Sequence, residues 1–481
     1  MKTFTGNSVL VAVAALLALS AWCGPARADS HVERQAGADW RMFGYGPERS
    51  SAPAASMGVT AKDLDHLKRR DVRIDGTVDA SAIYLHGVSI KGTRHDALFV
   101  TTTYGKTLAI DAEDGKVLWT YTPPSYARLK GTYQFTNATP VADPDRRAIY
   151  AAAPDGIIRK LSVADGTVEW STAITRLPAR EKIASALNFF RGRVIAVTGG
   201  YIGDQPPYQG HVAILDARSG ALLHVWNSLC SDRHELIDPR SCSATQSAIW
   251  GRAGAVVDIG NGNIFVATGN GPWNGKDNWG DAVIELDADA TRILGNYTPR
   301  NTDELNATDA DVGSTSPVLA AKPYVVQGGK DRLMRVLDWR RMQGDSPHRG
   351  GAASRVATPG GSRLFTAPAV RRTDDTTWIY AADNRGTAAW ILRDGTLHTQ
   401  WSNDHGGTSP VVADGMVFVY DPRGKLRVYQ ADSGKPLAAL DCARGHWNSP
   451  IVVDGRIILP QGNANRRRTQ GVISIWQVTR P

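Results

Sequence analysis

One unit recurs from about residue 98 to the end of the 481-residue chain, and self-similarity at this period restricts the fold more than any other feature. An apolar, β-rich run leads into a glycine turn. A second run ends in Asp, a turn rich in Asp and Gly follows, and a third run ends in Trp or another large apolar residue. LFVTTTYGKTLAIDAEDGKVLWTY, with Trp119, is the clearest copy. IYAAAPDGIIRKLSVADGTVEW follows with Trp170, and VIAVTGGYIGDQPPYQGHVAILDARSGALLHVW reaches Trp226 after an insertion. IFVATGNGPWNGKDNWGDAVIELDADATRILGNY carries a longer insertion. Degenerate copies then run from YVVQGGKDRLMRVLDWRRM to IILPQGNANRRRTQGVISIWQV. About eight units result, roughly 40 to 70 residues apart, at and above the spacing of four-stranded propeller blades.

Short alternating strands joined by Asp-Gly and Ser-Gly turns favour antiparallel hairpins. The pattern predicts an all-β fold, an eight-bladed β-propeller of four-stranded antiparallel blades, as a single domain over residues 29–481. A Trp at a fixed place in each unit suits the wedge between blades, so Trp119, Trp170 and Trp226 are read as structural. Asp111, Asp165, Asp216 and Asp287 recur at the turns and are read as turn-forming, because catalysis does not require one carboxylate per blade. A polar segment with S/T-x-P or S-P precedes most units (TNATPVAD, GSTSPVLA, GTSPVVADG, NSPIVVDG) and marks entry to the innermost strand. Its polar residues are expected to face the axis, and His446 and Trp447 of GHWNSP are expected to reach it. The last unit lacks a fourth strand, which the segment around Asp39-Trp40-Arg41 is expected to supply.

Residues 1–28 read as a signal peptide. Lys2 gives a positive start, Val9 to Ala21 an apolar run too short to span a bilayer comfortably, and Ala26-Arg27-Ala28 a small-residue cleavage site. No later stretch is long and apolar enough for a transmembrane helix. The expected location is periplasmic or secreted, where disulfides persist, and Cys230 and Cys242 flank one polar loop that they could close. Cys442 is left over. No C-x-x-C-H occurs, so covalent haem is not expected. The net charge of +8 comes from scattered basic residues, with Arg466-Arg467-Arg468 in one polar turn. No basic stripe interleaved with aromatics points to nucleic acid.

The Trp-ending unit, above all AIDAEDGKVLW, resembles the blade motif of quinoprotein dehydrogenases, which use pyrroloquinoline quinone (PQQ), and DWRMFGYGPERSS is similar to the start of many such domains. VATGNGPWN resembles the loop whose Asn binds calcium beside the quinone, which implies Asn270. SAIWGRAG resembles the segment whose Trp lies under the quinone plane, implying Trp250. LNATDADVGSTSP occupies the place of the catalytic Asp, implying Asp309 or Asp311, with Asp309 also a candidate metal ligand. GGKDR resembles the segment whose cation polarises the quinone carbonyl, implying Lys330 and, second, Arg332. Trp447 joins them as a cofactor contact.

These residue types suit the chemistry. Calcium takes hard oxygen ligands, a cation near an ortho-quinone makes it a better hydride acceptor, and a carboxylate removes the hydroxyl proton. The chain departs from the resemblance in two places. It has no adjacent cysteine pair, and the corresponding stretch carries Tyr133 and Gln134. The insertion GGYIGDQPPYQG offers no Glu, only Asp204 and Gln205, so Asp204 becomes the candidate metal ligand there. The implied function is oxidation of an alcohol or polyol with PQQ and Ca²⁺, most similar to polyvinyl-alcohol dehydrogenases, with electrons passing to an external cytochrome or quinone. The alternative is a non-catalytic scaffold propeller like the outer-membrane assembly lipoprotein BamB, which shares the blade motif.

Overall fold

Five prolines, Pro140, Pro317, Pro368, Pro410 and Pro450, each sit directly before the first strand of a four-stranded sheet, where no ladder donor is needed. The computed structural model describes residues 37–479, so the expected signal peptide lies outside the described residues. Eight four-stranded antiparallel sheets follow one another along the chain. Blade 1 runs Ile83–Ile90, Thr93–Thr101, Thr107–Asp111 and Val117–Tyr121. Blades 2 to 7 start at Val141–Ala142, Asn188–Phe190, Val256–Val257, Val318–Leu319, Ala369–Arg372 and Val411–Ala413. Blade 8 comprises Ile451–Val453, Arg456–Gln461, Gly471–Val478 and the early strand Leu67–Ile74. Blade 3 carries an extra two-stranded ladder in which Glu181 pairs with Gly200 and Lys182 with Gly199.

The polar residues leading into the first strands bond across the hub. Ser81 Oγ donates to Ser449 O (3.1 Å), Ser449 Oγ to Ser409 O (3.1 Å), and Ala367 N donates to Ser409 Oγ (2.9 Å). These bonds satisfy backbone groups that no ladder reaches.

The recurrent Trp and Gly form one device between successive blades. Trp119 of blade 1 donates its indole N–H to Val163 O of blade 2 (2.9 Å), three residues before Gly166. Trp170 does the same to Ala217 O before Gly220 (3.2 Å), and Trp401 to Ala431 O before Gly434 (2.8 Å). Each glycine has φ between 70° and 77°, and a Cβ there would stand 2.5–2.6 Å from the ring. Both the left-handed backbone and the ring therefore exclude a side chain. The Asp residues cap the turns: Asp111 Oδ1 accepts from Glu113 N and Asp216 Oδ1 from Ser219 N, at 2.8 and 2.7 Å. Asp165 differs. Ser162 holds its blade's equivalent register, with Gly166 N donating to Ser162 O, and Asp165 lies inside the turn accepting from Thr167 N (3.0 Å).

Ring closure differs from expectation. The fourth strand of blade 8 is Leu67–Ile74, which pairs along its length with Gly471–Val478. The Asp39–Arg41 segment instead begins a belt across the first strands. Trp40 exchanges two bonds with Tyr84 of blade 1, and Arg41 O accepts from Ala142 N of blade 2. Pro47 O accepts from Val257 N of blade 4, Ser50 O from Val370 N of blade 6, and Ser51 O from Val412 N of blade 7. Phe43 is buried with Ala186, Ala253 and Ala367 on the axis. The buried Arg49 donates to Phe43 O (2.7 Å) and Leu187 O (2.8 Å). The belt thus ties the first strands of blades 1, 2, 4, 6 and 7 together and packs against the entry segments of blades 3, 4 and 6.

Cys230 and Cys242 form a disulfide with Cα atoms 6.2 Å apart. Cys442 is a half-buried free thiol that burial pushes up to about 12. Among the described residues no helix is long and apolar enough to cross a membrane.

Candidate active site

In an antiparallel blade, the segment entering the first strand and the turn joining the second and third strands emerge at the same end. The expected site residues occupy just these two kinds of segment. Trp250, Asp309, Asp311, His446 and Trp447 precede first strands of blades 4, 5 and 8; Asp204, Asn270 and Lys330 lie between second and third strands of blades 3, 4 and 5. All eight line one cavity of about 210 Å³. Arg332 does not. It is exposed on a left-handed turn residue (φ 67°) two positions beyond Lys330 and is absent from the lining, so the structure corrects its assignment as a cofactor contact.

Lys330 organises the polar wall. Its ammonium contacts Asp309 Oδ1 and, at 2.5 Å, Asp311 Oδ2, and it stands 5.1 Å from the Trp250 ring centroid. Burial favours the neutral amine, but the two carboxylates outweigh this and hold its pKa above the ordinary lysine value. Asp311 is only 1% exposed, and burial raises its carboxyl above the usual range despite Lys330. Trp250 Nε1 donates to Asp311 Oδ1 at 3.3 Å. Behind Asp311 lies Asp281, fully buried, with Oδ1 accepting from Val312 N (3.2 Å) and Oδ2 unpartnered. Burial and the charge of Asp311 push its carboxyl up to about 8.

Asp309 is exposed and receives Asn270 Nδ2 at 2.9 Å. That bond uses the amide nitrogen, leaving Asn270 Oδ1 buried and without a partner. An orphaned carbonyl oxygen beside a carboxylate suits a hard cation. Asp204 is exposed at the rim and takes Tyr208 OH (3.1 Å). Among the described residues, ligand atoms of three or more His, Cys, Asp or Glu lie mutually within 4.8 Å only at His86, Asp96 and Asp454. Asp204 is therefore not drawn together with Asp309 and Asp311. Glu181, which the extra ladder places beside the Gly199-Gly200 insertion, turns away. Its carboxylate is buried against His211 Nε2 (2.9 Å), Thr175 Oγ1 and Gln209 N.

Trp250 and Trp447 line the cavity, and Phe365, outside the lining, packs on both. Phe365 stacks on Trp447 with centroids 5.1 Å apart and planes at 18°, and Trp250 lies 6.2 Å from each. His446 stacks on Trp447 (4.1 Å) and its Nδ1 lies 2.8 Å from Asp79, which also receives Arg252 (2.9 Å). Burial opposes the charge of Asp79, but His446 and Arg252 hold its pKa far below the usual value. Sequence reasoning missed Phe365, Asp281 and Lys182. Lys182 lines the opposite wall, 4.3 Å from the Phe135 ring centroid, and its amine is pushed down to about 7 by burial and then by Arg252. Its only sequence signal was a Glu-Lys pair ahead of an entry segment. Tyr133 and Gln134 do not reach the cavity: Tyr133 is exposed beneath Arg467, and Gln134 bonds Pro154 O and Pro178 O.

A family model described as "Outer membrane protein assembly factor BamB" matches residues 65–345 and 375–472. The chain belongs to this family of PQQ-like propellers. The propeller is similar to "Quinohemoprotein alcohol dehydrogenase" of Comamonas testosteroni, 24% identical over 62% of this chain and 45% of that one. It is also similar to "Polyvinylalcohol dehydrogenase" of a Pseudomonas species, 22% identical over 85% of this chain and 71% of that one. It thus spans about half or less of the quinohemoprotein and quinone-dependent relatives' length. In fold it matches the crystal structure of the Comamonas testosteroni enzyme with a TM-score of 0.67 at 16% identity, covering 92% of this chain and 80% of that one. It matches BamB of Moraxella catarrhalis with a TM-score of 0.52 at 13% identity, covering 86% and 98%.

Proposed function

We propose that this PQQ-like propeller is a periplasmic or secreted oxidoreductase that oxidises an alcohol or polyol with PQQ and calcium. The observation that carries the reading is the convergence, in one cavity, of the Trp250 and Trp447 rings, the Lys330–Asp309–Asp311 cluster and the orphaned Asn270 Oδ1. The cavity volume of about 210 Å³ is below the roughly 300 Å³ at which drug-sized pockets begin, so seating a tricyclic quinone requires the cavity walls to move apart. Relatives that carry dehydrogenase names, one of them for a polymeric alcohol, support the same direction.

Trp250 and Trp447 would seat the planar cofactor, with Phe365 packed on both from outside the lining, and Asn270 Oδ1 with Asp309 would face the cation. PQQ, when bound, supplies the two-electron acceptor that takes hydride from the alcohol carbon. Asp311 is assigned as the base. Its buried carboxylate, with a raised pKa, accepts the hydroxyl proton better than an ordinary one. Lys330 provides positive charge where a ligand oxygen gains electron density, and it counters the rise that burial imposes on the Asp311 carboxyl. Asp309, more exposed, is placed on the cation side rather than as the base. An external cytochrome or quinone would take up the electrons. The test is a titration with PQQ and Ca²⁺, followed by melting temperature and dye reduction over a panel of alcohols. A bound cofactor at a hundredfold excess over its dissociation constant raises stability by about 2.7 kcal/mol. Absence of both the stability shift and turnover refutes the reading and leaves the scaffold function of a BamB-like propeller, which the mutually satisfied Lys330 cluster and the inward-turned Glu181 favour.

A further inference from the structure

Beside the cavity runs a larger concavity of about 1290 Å³ along the seam of blades 7 and 8. The two spaces share walls. In the single turn Ala464–Arg466, Asn465 lines the cavity and Arg466 the groove. On the facing segment Gly445 lines the groove and His446 the cavity. The turn is held rigidly, because Ala464 N donates at 2.9 Å to the same Asp79 that receives His446.

The groove's charges do not balance. Its two acids are taken: Asp71 by Arg69 (2.7 Å) and Ser474 (2.6 Å), Asp75 by Lys106. Arg423 is neutralised by Asp421 at 2.9 Å. Arg73, Arg444, Arg466 and Arg468 remain, all exposed and without an ion pair among the described residues. Four unpaired guanidinium groups around one trough attract anions, and the planar fork of Arg matches carboxylate in a bidentate manner. A trough suits an extended chain, whereas a globular acidic partner requires a broad, flatter face.

We propose that this groove binds a polyanionic, hydroxyl-bearing chain of the polyuronate class and delivers one of its sugar units to the adjoining cavity. This rests on the redox reading of that cavity and adds no chemical step. It assigns the substrate class: the arginines hold carboxylates of neighbouring units while one hydroxyl enters the small pocket.

The test uses the whole protein and hexagalacturonate, with a neutral dextran oligomer of equal length as control, in calorimetric titrations at 50 and 250 mM NaCl. The expected result is binding that weakens with salt, falls about tenfold or more in the variant Arg444→Ala/Arg466→Ala/Arg468→Ala, and exceeds dextran binding by a similar factor. Melting temperature of the variant, expected unchanged, excludes misfolding. Equal binding of dextran, or unaltered binding by the variant, overturns the proposal. So does a variant that keeps hexagalacturonate affinity but loses an acidic c-type cytochrome, which makes the groove a protein dock. With PQQ and Ca²⁺ present, the variant is expected to raise KM for hexagalacturonate and leave turnover of a small alcohol unchanged. Oxidation of small alcohols without oxidation of bound hexagalacturonate overturns the substrate assignment while the redox reading stands. Arginine-dependent binding with no alcohol oxidised at all refutes the redox reading instead, and the substrate assignment falls with it.

Discussion

Replacing Lys330 by Met is expected to destabilise the protein in a pH-dependent way. Lys330 is 8% exposed and, among the described residues, is the only cation paired with Asp311, itself 1% exposed. Removing one partner of a buried pair leaves the other charge uncompensated, at about 3–5 kcal/mol. The contact to Asp309 adds little, because that side chain is 55% exposed and screened by solvent. For a domain of this size the unfolding entropy is about 0.9 kcal/mol per degree, so the melting temperature is expected to fall by about 3–5 °C at pH 8. The pH sign follows from Asp311. Its carboxyl is already raised by burial, and without Lys330 it rises further. A folded-state acid with a raised pKa binds protons more readily than the unfolded chain. Its penalty is therefore absent below the unfolded value of about 4, grows as pH climbs to the folded value and is constant above it. Thermal unfolding followed by tryptophan fluorescence at pH 4.5, 6 and 8 measures this. Lys330→Met/Asp311→Asn removes both charges and is expected to recover most of the loss at pH 8. A loss at pH 8 under 1 °C, a loss that does not vary with pH, or a double variant no better than the single one refutes the reasoning.

Three further outcomes are expected. Trp401→Phe forfeits the indole bond to Ala431 O, about 1 kcal/mol, whereas Gly434→Ala loses more, because a left-handed backbone (φ 70°) costs about 1–2 kcal/mol before the ring is displaced; urea unfolding ranks the two. Lys182→Met is expected to stabilise the protein at pH 7–9, since the folded amine is lowered by burial and by Arg252 while the unfolded chain still binds the proton; the gain fades as pH approaches 10.5, and urea midpoints at pH 7, 9 and 10.5 follow it. Cys230→Ser/Cys242→Ser opens a 12-residue separation and is expected to lose about 3 kcal/mol, with hydrogen exchange accelerating first in the loop it closes.

The blades were legible in the sequence because their information is local. A left-handed Gly recurs just before the large apolar residue that ends a unit, as in Gly115–Trp119, Gly166–Trp170 and Gly220–Trp226, so one clear copy identifies the others. Closure was not local. Leu67–Ile74 reads LKRRDVRI, with only Val72 and Ile74 buried, and as a polar edge strand it carries no apolar alternation. Asp39–Arg41 looked more strand-like, yet its bonds go to two different blades and the belt behind it to three more. In the site, eight of the motif-bearing residues line one cavity. Arg332 does not, because two residues along a tight turn reverse the side chain's direction. Phe365 and Asp281 gave no signal, since an aromatic packed behind the lining and a buried carboxylate are defined by neighbours far away in the chain.

The double closure bears on how the molecule assembles. A linear array of repeats can fold from either end, each unit leaning on the last. Here the earliest described strand, Leu67–Ile74, waits for the latest, Gly471–Val478, and the belt carbonyls find all their donors only when blade 7 exists. Completion is therefore a late, long-range event, slow by contact order. The ring cannot lock before Gly471–Val478 has been made, and once locked it leaves, among the described residues, no free blade from which to unravel.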